Sequence, residues 1–578
     1  MGDMNMDFLR YNTHSKTNEY LDDIIAHGFL PVISIPTRVT THTATLIDHI
    51  YTNRPSSIHT PGVILTDVSD HYGTVTLCSN KITSPNPSAQ LKCVRYFSET
   101  NINSFNLKLN ETNFEEVYQT NCPNKAYDAF MKLYKQIFEE TFPLKNIRVN
   151  KKFIKQQPWV TNGLLTSGRR KQKLYLKKLK FPTDTNIKSY KTYLNIYNKT
   201  KQTLKRNYFN LTLEEHKFDM KKTWSILNQA IGKHTTKSQY PKSLKVNNIE
   251  VNNEQHIADT FNSYFTNIGQ TTNHNVPLVD RSFKSYLPNP QLNSMFLEPV
   301  LPSTVIETIH KLKTKSSSGH DGISTKLIKS TIVNIINPIT YIINKSFETG
   351  IVPMEMKIAK VIPIFKNNDQ CQVKNYRPIS LLPSFSKVLE RLMYNKIVQY
   401  LNQNNILYKH QYGFRAKHST IHPIIHLLNN CAEASNKKEA EYTIAILCDL
   451  SKAFDVISHK ILIHKLNIYG IRGIVSKWLE NYLSGRKQFV NINNKISMMS
   501  NITCGVPQGS ILGPLLYLVY VNDISRSCDM NILSFADDTT AYISNIDLHT
   551  LHQEANIGIN DLFTWFCANE IFSNQIPS

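Results

Sequence analysis

The sequence predicts an α+β fold for the C-terminal half of the chain. From about residue 301 onward, segments with helical periodicity alternate with short β-rich segments, long loops are few, and no internal repeat is found. The helical periodicity is seen in PSTVIETIHKLKTK and in residues 380–402. The strand-like segments are KVIPIFK, TIAILCDL, QFVNINN and NILSFADDTTAYIS. A mixed, non-repeating order of this kind is typical of α+β domains.

The N-terminal half has a different pattern. Residues 1–80 contain short apolar runs separated by Pro, Gly, Asn and Asp, which predicts short strands joined by turns. Residues 81–145 show helical periodicity near FEEVYQTN and at AFMKLYKQIFEETF. Because 578 residues exceed one ordinary domain, we expect two or more hydrophobic cores.

The most basic segment covers residues 145–206. It contains 18 Lys or Arg and one acid, Asp184, with aromatic residues interleaved. Two interpretations are open: a solvated basic helix or linker, or a nucleic-acid contact in which cations displace phosphate counterions and aromatic rings stack on bases. The net charge of +22 favours a polyanionic partner for the chain as a whole.

Membrane insertion and secretion are disfavoured. The longest apolar run, ILGPLLYLVYV, is shorter than the roughly 20 residues that a spanning helix needs. The N-terminus has no apolar signal core, and Met6 occupies the position where a myristoylation motif requires Ser or Thr. The nine cysteines form no C-x-x-C pair, which favours reduced thiols inside a cell and gives no zinc knuckle.

Two acidic positions are candidates for metal binding. Asp449 ends the β-rich run TIAILCDL, and Asp537 and Asp538 lie between the two strand-like parts of NILSFADDTTAYIS. Taken singly, Asp449 is more simply explained as a helix N-cap and the Asp pair as hairpin-turn residues. On neighbouring strands, however, the three would supply the carboxylate oxygens that two divalent metals need to join a nucleotide to a primer end.

These acids lie in motifs that resemble those of retroelement reverse transcriptases. Motifs A, B and C are matched by CDLSKAFDVISH, GVPQGSILGPLLYLVYVND and FADD. The fingers motifs and the N-terminal extension of non-LTR enzymes are matched by VIPIFKNNDQCQVKNYRPISLLPSFSKVLER, HQYGFRAKHST and SSSGHDGIS. The resemblance runs from about residue 301 to 569 and is nearest to jockey-like elements. It implies the fingers and palm of a right-hand polymerase that uses an RNA template, a DNA primer and deoxynucleoside triphosphates.

The resemblance also implies roles for individual residues. Asp449, Asp537 and Asp538 would bind two Mg²⁺ ions, with Mn²⁺ as an alternative. Lys366 and Arg377 would contact the triphosphate, which suits the bidentate grip of Arg on phosphate oxygens. A structural Arg377 that pairs with a carboxylate is the alternative.

Five further residues lie in motifs A and B. Phe454 would block a 2′-hydroxyl and so favour deoxynucleotides, although plain core packing explains it as well. Gln508 and Gly509 would pack against the incoming nucleotide. Asp455 and His459 recur in motif A but have no evident chemical role, so we interpret both as structural.

Three N-terminal segments, GDMN, TLIDHIYTN and SDHYGTV, resemble the C-terminal half of the endonuclease/exonuclease/phosphatase fold, an α/β-sandwich. The resemblance implies metal and phosphate contacts for Asp3 and Asn5. It implies phosphate and water contacts for Asp70 and His71, with Asp48 orienting the histidine. Since the sequence begins at GDMN, we expect the first half of the sandwich to be absent and predict no nicking activity.

Together these interpretations divide the chain into four regions: a partial endonuclease-type domain (1–80), a basic, largely helical linker (81–300), a fingers N-terminal extension (301–345), and fingers and palm (346–578). We expect the thumb to be absent, because the sequence diverges from the family within WFCANEIFSNQIPS. Two functions therefore remain open: an RNA-directed DNA polymerase, and a catalytically silent remnant that still binds nucleic acid. The absence of a spanning run and of a signal core predicts no membrane partner, and analogy with such elements predicts a location in cytoplasm and nucleus.

Overall fold

The structure is a computed structural model that describes residues 2–40, 42–53, 59–67, 69–78, 91–148, 157–232, 240–241, 243–246, 249–274, 276–450 and 452–571. Contacts divide the chain into two units, one formed by Met1–Val94 with Asn146–Lys237 and the other by Arg95–Lys145 with Ser238–Ser578. None of the helices in these described ranges combines the length and apolar character that a membrane crossing requires.

Sixteen α-helices are distributed over the described part of the two units. They are α1 Ser15–Ala26, α2 Glu99–Glu111, α3 Glu115–Tyr118, α4 Pro123–Thr141, α5 Asn162–Lys180, α6 Asp184–Glu215, α7 Met220–Ile231, α8 Glu254–His274, α9 Pro302–Lys311, α10 Thr325–Thr349, α11 Ser384–Gln403, α12 Ile421–Ser435, α13 His459–Ile468, α14 Ile474–Leu483, α15 Gly513–Tyr520 and α16 Leu548–Ala568.

The strands are mostly short in the N-terminal part and longer after residue 350. They are β1 Gly2–Asp3, β2 Leu30–Pro31, β3 Arg38–Val39, β4 Ala44–Thr45, β5 Asp48–His49, β6 Tyr51–Thr52, β7 His59–Ile64, β8 Gly73–Cys78, β9 Leu91–Val94, β10 Lys145–Arg148, β11 Leu244–Val246, β12 Ile249–Val251, β13 Ile358–Phe365, β14 Tyr376–Leu381, β15 Tyr442–Asp449, β16 Arg486–Ile492, β17 Lys495–Ile496, β18 Ser500–Ile502, β19 Asn531–Phe535 and β20 Asp538–Asn545.

The described residues among the first 80 form small antiparallel strand pairs around a modest core. The pairs are β1–β5, β2–β6, β3–β4 and β7–β8. The prediction of strands and turns alone was wrong for α1, which begins after His14, whose ring nitrogen accepts a hydrogen bond from the Thr17 amide. Most of this helix is exposed. Its apolar stripe is therefore short, and the usual Ser, Thr, Asp or Asn cap signal is missing.

The basic helices α5 and α6 pack together in the same unit. The segment RRKQKLYLKKLK within residues 145–206 lies entirely in α5 and is therefore helical. Asp67, between β7 and β8, anchors both helices: its Oδ2 lies 3.0 Å from Lys171 Nζ and accepts a hydrogen bond of 3.2 Å from the Tyr190 hydroxyl. Gln172 Nε2 donates to the Leu65 carbonyl at 3.1 Å. The basic segment is thus docked against the connection between β7 and β8 through the middle of α5 and the second turn of α6.

The second unit has one large hydrophobic core that reaches from Phe105 to Ile571. Helices α2 and α4 pack against α10. Within this core, Phe130 and Tyr134 of α4 contact the Phe385 ring at centroid distances of 5.4 and 5.7 Å. Residues 95–145 therefore share a hydrophobic core with the later part of the chain. In the sequence analysis these residues belong to the linker region 81–300, whose boundaries follow the family resemblance.

The longer strands of the second unit form two β-sheets. In the first, β13 pairs antiparallel with β14 and parallel with β16. In the second, β20 lies between β15 and β19, and both pairings are antiparallel. The four predicted strand segments are confirmed. The helix expected from Ser380 begins only at Ser384, because Leu382 precedes Pro383 and a residue before proline favours an extended backbone.

Candidate active site

The Asp pair lies at the tip of a β-hairpin. Phe535 on β19 is opposite Asp538 on β20, which leaves Ala536 and Asp537 in the connection. On its other side β20 pairs with β15, where Asp449 is opposite Asp538. The backbones of the three predicted metal-binding residues therefore meet at one end of the sheet. The side chain of Asp449 lies outside the described part of the structure.

The negative charges of Asp537 and Asp538 act on a buried tyrosine, Tyr517. Burial raises the pKa of Tyr517 on α15, and the carboxylates of Asp537 and Asp538 raise it further. Asp537 is half-buried and Asp538 is exposed. Hard divalent cations prefer carboxylate oxygens, so this donor set fits Mg²⁺ or Mn²⁺.

A cavity of about 520 Å³ opens beside the hairpin. Its lining includes five residues that the sequence assigned to catalysis or nucleotide binding, namely Lys366, Arg377, Phe454, Gln508 and Asp537. They belong to five separate segments: the end of β13, strand β14, the turn after β15, the loop before α15 and the hairpin tip. The fold thus collects cationic, aromatic and carboxylate side chains at one place.

The two cations stand at the end of the β13–β14 ladder. Arg377 is opposite Ile364, and the Lys366 amide donates to the Asn375 carbonyl at 2.8 Å. Both side chains are exposed, and neither forms an ion pair with a carboxylate of the described residues. Two unpaired cations at a cavity wall suit phosphate oxygens.

Phe454 has contacts that fit both of its interpretations. Its ring centroid lies 5.2 Å from that of Tyr517 and 5.8 Å from that of Phe414. The same residue lines the cavity. Phe454 therefore packs against Tyr517 and Phe414 and also forms part of the cavity wall. These contacts hold its ring in place.

Gly509 is not among the residues that line this cavity. Its φ is +117°, and a Cβ there would lie 2.7 Å from the Ser380 carbonyl oxygen. The Ser380 amide also donates to the Gln508 carbonyl at 2.8 Å. Glycine thus allows the loop to lie directly against β14, and this contact sets the position of Gln508.

Asp455 has a specific partner that the sequence did not reveal. Its Oδ2 accepts a hydrogen bond of 2.8 Å from Gln508 Nε2, and Asp455 also lines the cavity. Burial raises the pKa of Asp455 to about 6, while the hydrogen bond from Gln508 and the charge of Lys452 oppose this shift. His459 Nε2 lies 2.7 Å from the Gly505 carbonyl, so both motif A residues contact the motif B loop.

Asp455→Asn is expected to remove a pH-dependent part of the free energy of unfolding. The folded-state pKa of about 6 exceeds the ordinary 3.8, so between these values the folded chain binds more protons than the unfolded chain. The stabilisation is therefore fully present below the lower value and is lost as pH rises through the higher one. Urea unfolding on either side of pH 6 measures it. The exposed Asp529→Asn is the matched control, and an unchanged pH dependence in Asp455→Asn would contradict the prediction.

Helix α8 contributes a wall that the sequence assigned to the linker. Tyr264 and Ile268 line the cavity. Lys452 Nζ lies 5.5 Å above the Tyr264 ring. At Gly269 a Cβ would collide with Cys504 Sγ, so the helix and the motif B loop are in close contact. Helical periodicity shows that a segment is amphipathic but not which surface covers its apolar face, and no signal in the sequence linked this helix to the site.

A separate polar cluster lies in the first unit. Asp3 on β1 is opposite Asp48 on β5. His71 Nδ1 lies 3.0 Å from Asp48 Oδ2 and 3.9 Å from Asp3 Oδ2. Candidate ligand atoms of these three residues lie within 4.8 Å of one another, the one such group among the described residues.

The two other residues assigned to this region lie at the edge of the cluster. The Asn5 amide donates to Asp3 Oδ1 at 3.0 Å. Asp70 Oδ2 forms an ion pair of 2.8 Å with Arg38 and lies 4.0 Å from His71 Nε2. The structure therefore places all five residues of the N-terminal resemblance near one another, with the Asp70 carboxylate held by an arginine.

Comparison with known proteins finds a family match within the second unit. Residues 364–566 match the reverse transcriptase (RNA-dependent DNA polymerase) family. The chain is similar to the RNA-directed DNA polymerase from mobile element jockey of Drosophila melanogaster, at 30% identity over 274 residues, which are 45% of this chain and 29% of that protein. The jockey protein of Drosophila funebris is 30% identical over 302 residues, or 48% of this chain and 32% of that protein.

A third relative is a probable RNA-directed DNA polymerase from transposon BS of Drosophila melanogaster, 34% identical over 245 residues, or 41% of this chain and 26% of that protein. The aligned part thus spans between about a quarter and a third of each relative. The matched region contains the Asp hairpin and every predicted nucleotide-binding residue. Residues 364–566 are therefore a reverse transcriptase domain, and the chain is a relative of the jockey-like non-LTR retrotransposon proteins.

Proposed function

We propose that this chain is an RNA-directed DNA polymerase of a jockey-like non-LTR retrotransposon. It adds deoxynucleoside triphosphates to the 3′-hydroxyl of a DNA primer on an RNA template. The observation that carries the proposal is the cavity beside the Asp hairpin, where five assigned side chains from distant segments meet. In this proposal residues 301–345 are the fingers extension and residues 346–578 the fingers and palm.

The residues of the site divide the work between them. Asp449, Asp537 and Asp538 hold two Mg²⁺ ions, with Mn²⁺ as an alternative. When bound, the two ions activate the attacking 3′-oxygen and stabilise the leaving phosphate oxygens. Lys366 and Arg377 bind the triphosphate and keep it in line with the primer end.

The cavity wall selects the sugar and holds the nucleotide. Phe454 fills the space beside the ribose C2′ and so disfavours a 2′-hydroxyl. Gln508 faces the nucleotide, and its amide is kept in orientation by the hydrogen bond to Asp455. Phe454 is held by its contacts with Tyr517 and Phe414, and Gln508 by its hydrogen bond to Asp455. Little reorganisation of these two side chains is therefore needed when the substrate binds.

The proposal is tested by primer extension on an RNA template with Mg²⁺. We expect extension, and none when the metal is chelated. The jockey relatives are about three times longer than the part that aligns with this chain. A second protein is therefore tested in parallel, in which the jockey sequence that follows the aligned part is fused to the C-terminus of this chain. Extension by either version supports the proposal. Silence of both, with primer–template binding intact, would overturn it in favour of a catalytically silent protein that binds nucleic acid.

We also propose that residues 1–80 derive from an endonuclease/exonuclease/phosphatase domain and that the cluster of Asp3, Asp48 and His71 is its site. In support, His71 Nδ1 is within hydrogen-bond distance of Asp48. We further propose that the protein is located in cytoplasm and nucleus, by analogy with the elements that the sequence resembles.

A second function, nucleic-acid binding by α5 and α6, is favoured by a specific observation. Together the helices carry thirteen Lys or Arg and three acids, and eleven of the cations are exposed. Among the described residues only Lys171 of this set has an ion-pair partner. Arg170 lies 5.4 Å above the Tyr193 ring, so cations and aromatic faces alternate on this surface. Such a surface suits a phosphate backbone.

Binding of nucleic acid by this surface is expected to weaken steeply with salt. Six or more phosphate contacts would lower the affinity by about a thousandfold between 50 and 200 mM salt. Changing Lys191, Lys199 and Lys205 to Gln should reduce both the affinity and the salt dependence in fluorescence anisotropy with a labelled RNA. The matched control changes three lysines that already have acidic partners, Lys311, Lys345 and Lys437. If the two triple variants lost RNA affinity equally, binding would not be localised to the surface of α5 and α6.

A further inference from the structure

The segment between α11 and α12 lies against the outer strand of the Asp hairpin. The Ser534 amide on β19 donates to the His410 carbonyl at 3.0 Å, and the Tyr412 amide donates to the Ser534 carbonyl at 2.8 Å. Gln411 and Ser534 thus form a parallel bridge. The segment extends the three-stranded sheet on the side opposite β15.

The side chain of Gln411 reaches the connection of the hairpin. It is 5% exposed, and its Oε1 accepts hydrogen bonds from the Ala536 amide at 3.1 Å and the Gly413 amide at 2.8 Å. Its Nε2 faces the Ala536 carbonyl at 3.5 Å. One buried side chain therefore satisfies the Ala536 amide, a group that would be costly to bury without a partner.

Ala536 needs this support because of its backbone conformation. Its φ is +60°, in the left-handed region that residues with a Cβ seldom adopt. Ala536 directly precedes Asp537, so its conformation sets the direction in which the carboxylate leaves the hairpin. Gly413 allows the close approach, because a Cβ there would collide with the backbone of Ala536. Arg415 closes the segment by donating to the Gln411 carbonyl at 3.2 Å.

We infer that Gln411 is a positioning residue, whose side-chain oxygen holds Ala536 in the left-handed conformation and thereby aims Asp537 at the site. The inference rests on the proposed polymerase function. Gln411 is not among the residues that line the cavity, so it acts through the hairpin and not through the nucleotide. The motif HQYGFRAKHST, which the resemblance assigned to the fingers, would then support the metal-binding carboxylates from behind.

Gln411→Leu tests this inference, with the exposed Gln403→Leu as matched control. In hydrogen exchange without metal or nucleotide, the Ala536 amide should exchange at least about tenfold faster in Gln411→Leu, because its acceptor is gone. In primer extension kcat should fall about a hundredfold with little change in KM for the nucleotide. Adding Ala536→Gly should recover much of the lost kcat, because glycine adopts a positive φ without strain.

Each outcome decides the inference. An unchanged Ala536 exchange rate, or a kcat loss that Ala536→Gly does not relieve, would overturn it. If Gln411→Leu unfolds at a lower urea concentration than Gln403→Leu, Gln411→Asn replaces it, since the shorter amide stays polar but does not reach Ala536. An inactive unmodified chain would count against the polymerase proposal, while the exchange measurement would still decide whether Gln411 holds the hairpin.

Discussion

Asp537→Asn is expected to reduce RNA-templated extension by at least about a thousandfold, equivalent to about 4 kcal/mol of transition-state stabilisation. The substitution keeps the size of the side chain but replaces an anionic oxygen pair with a neutral amide, which is a poor ligand for Mg²⁺. Of the two predicted metal ligands whose side chains the structure describes, Asp537 and Asp538, Asp537 is the one that lines the cavity.

The matched control for this experiment is Asp529→Asn. Asp529 is exposed and precedes β19, so its loss removes the same charge from the same part of the chain. Affinity for primer–template should be unchanged in both variants when it is measured by anisotropy. An Asp537→Asn variant that retained more than about a tenth of the extension rate would place the metals elsewhere.

Lys465→Met is expected to lower the free energy of unfolding by about 3–5 kcal/mol. Lys465 Nζ donates to Asp523 Oδ1 and to the Tyr520 carbonyl, both at 2.6 Å, and both charged side chains are fully buried. Burial lowers the pKa of Lys465 and raises that of Asp523, and the attraction between the two opposes both shifts. Removing the lysine leaves an uncompensated Asp523 carboxylate in the core and also removes the Lys465 ammonium that lies 5.3 Å from the centroid of the Trp565 ring.

A second substitution separates this cause from lost packing. In Lys465→Met combined with Asp523→Leu no buried charge remains, so much of the lost stability should return. Urea unfolding followed by tryptophan fluorescence measures both. Lys311→Met, which breaks an exposed pair with Glu307, is the control and should change little. A double variant as unstable as Lys465→Met would show that the packing of the lysine stem, and not the charge, accounts for the loss.

The family assignment and the centre of the site could be predicted from the sequence. Motifs A, B and C are local patterns, and the match of residues 364–566 to the reverse transcriptase family confirms the assignment. The strands that carry Asp449 and the Asp pair were also predictable, since alternating apolar residues are a local property. The helix start expected at Ser380 was wrong, because the strand continues as far as Leu381.

The packing of α8 against the site, the Asp455–Gln508 hydrogen bond and the contact of Gln411 with Ala536 could not be predicted in this way. Each joins residues far apart in the chain, and the pattern around one residue holds no information about which distant surface will pack against it. The sequence by itself determined the strands that carry the predicted metal-binding acids, the acids themselves and the family. Tertiary structure alone decided which side chains share the cavity and which ones hold them in place. The physical reason is that long-range packing and burial, and not local periodicity, select among the partners that a polar side chain could have.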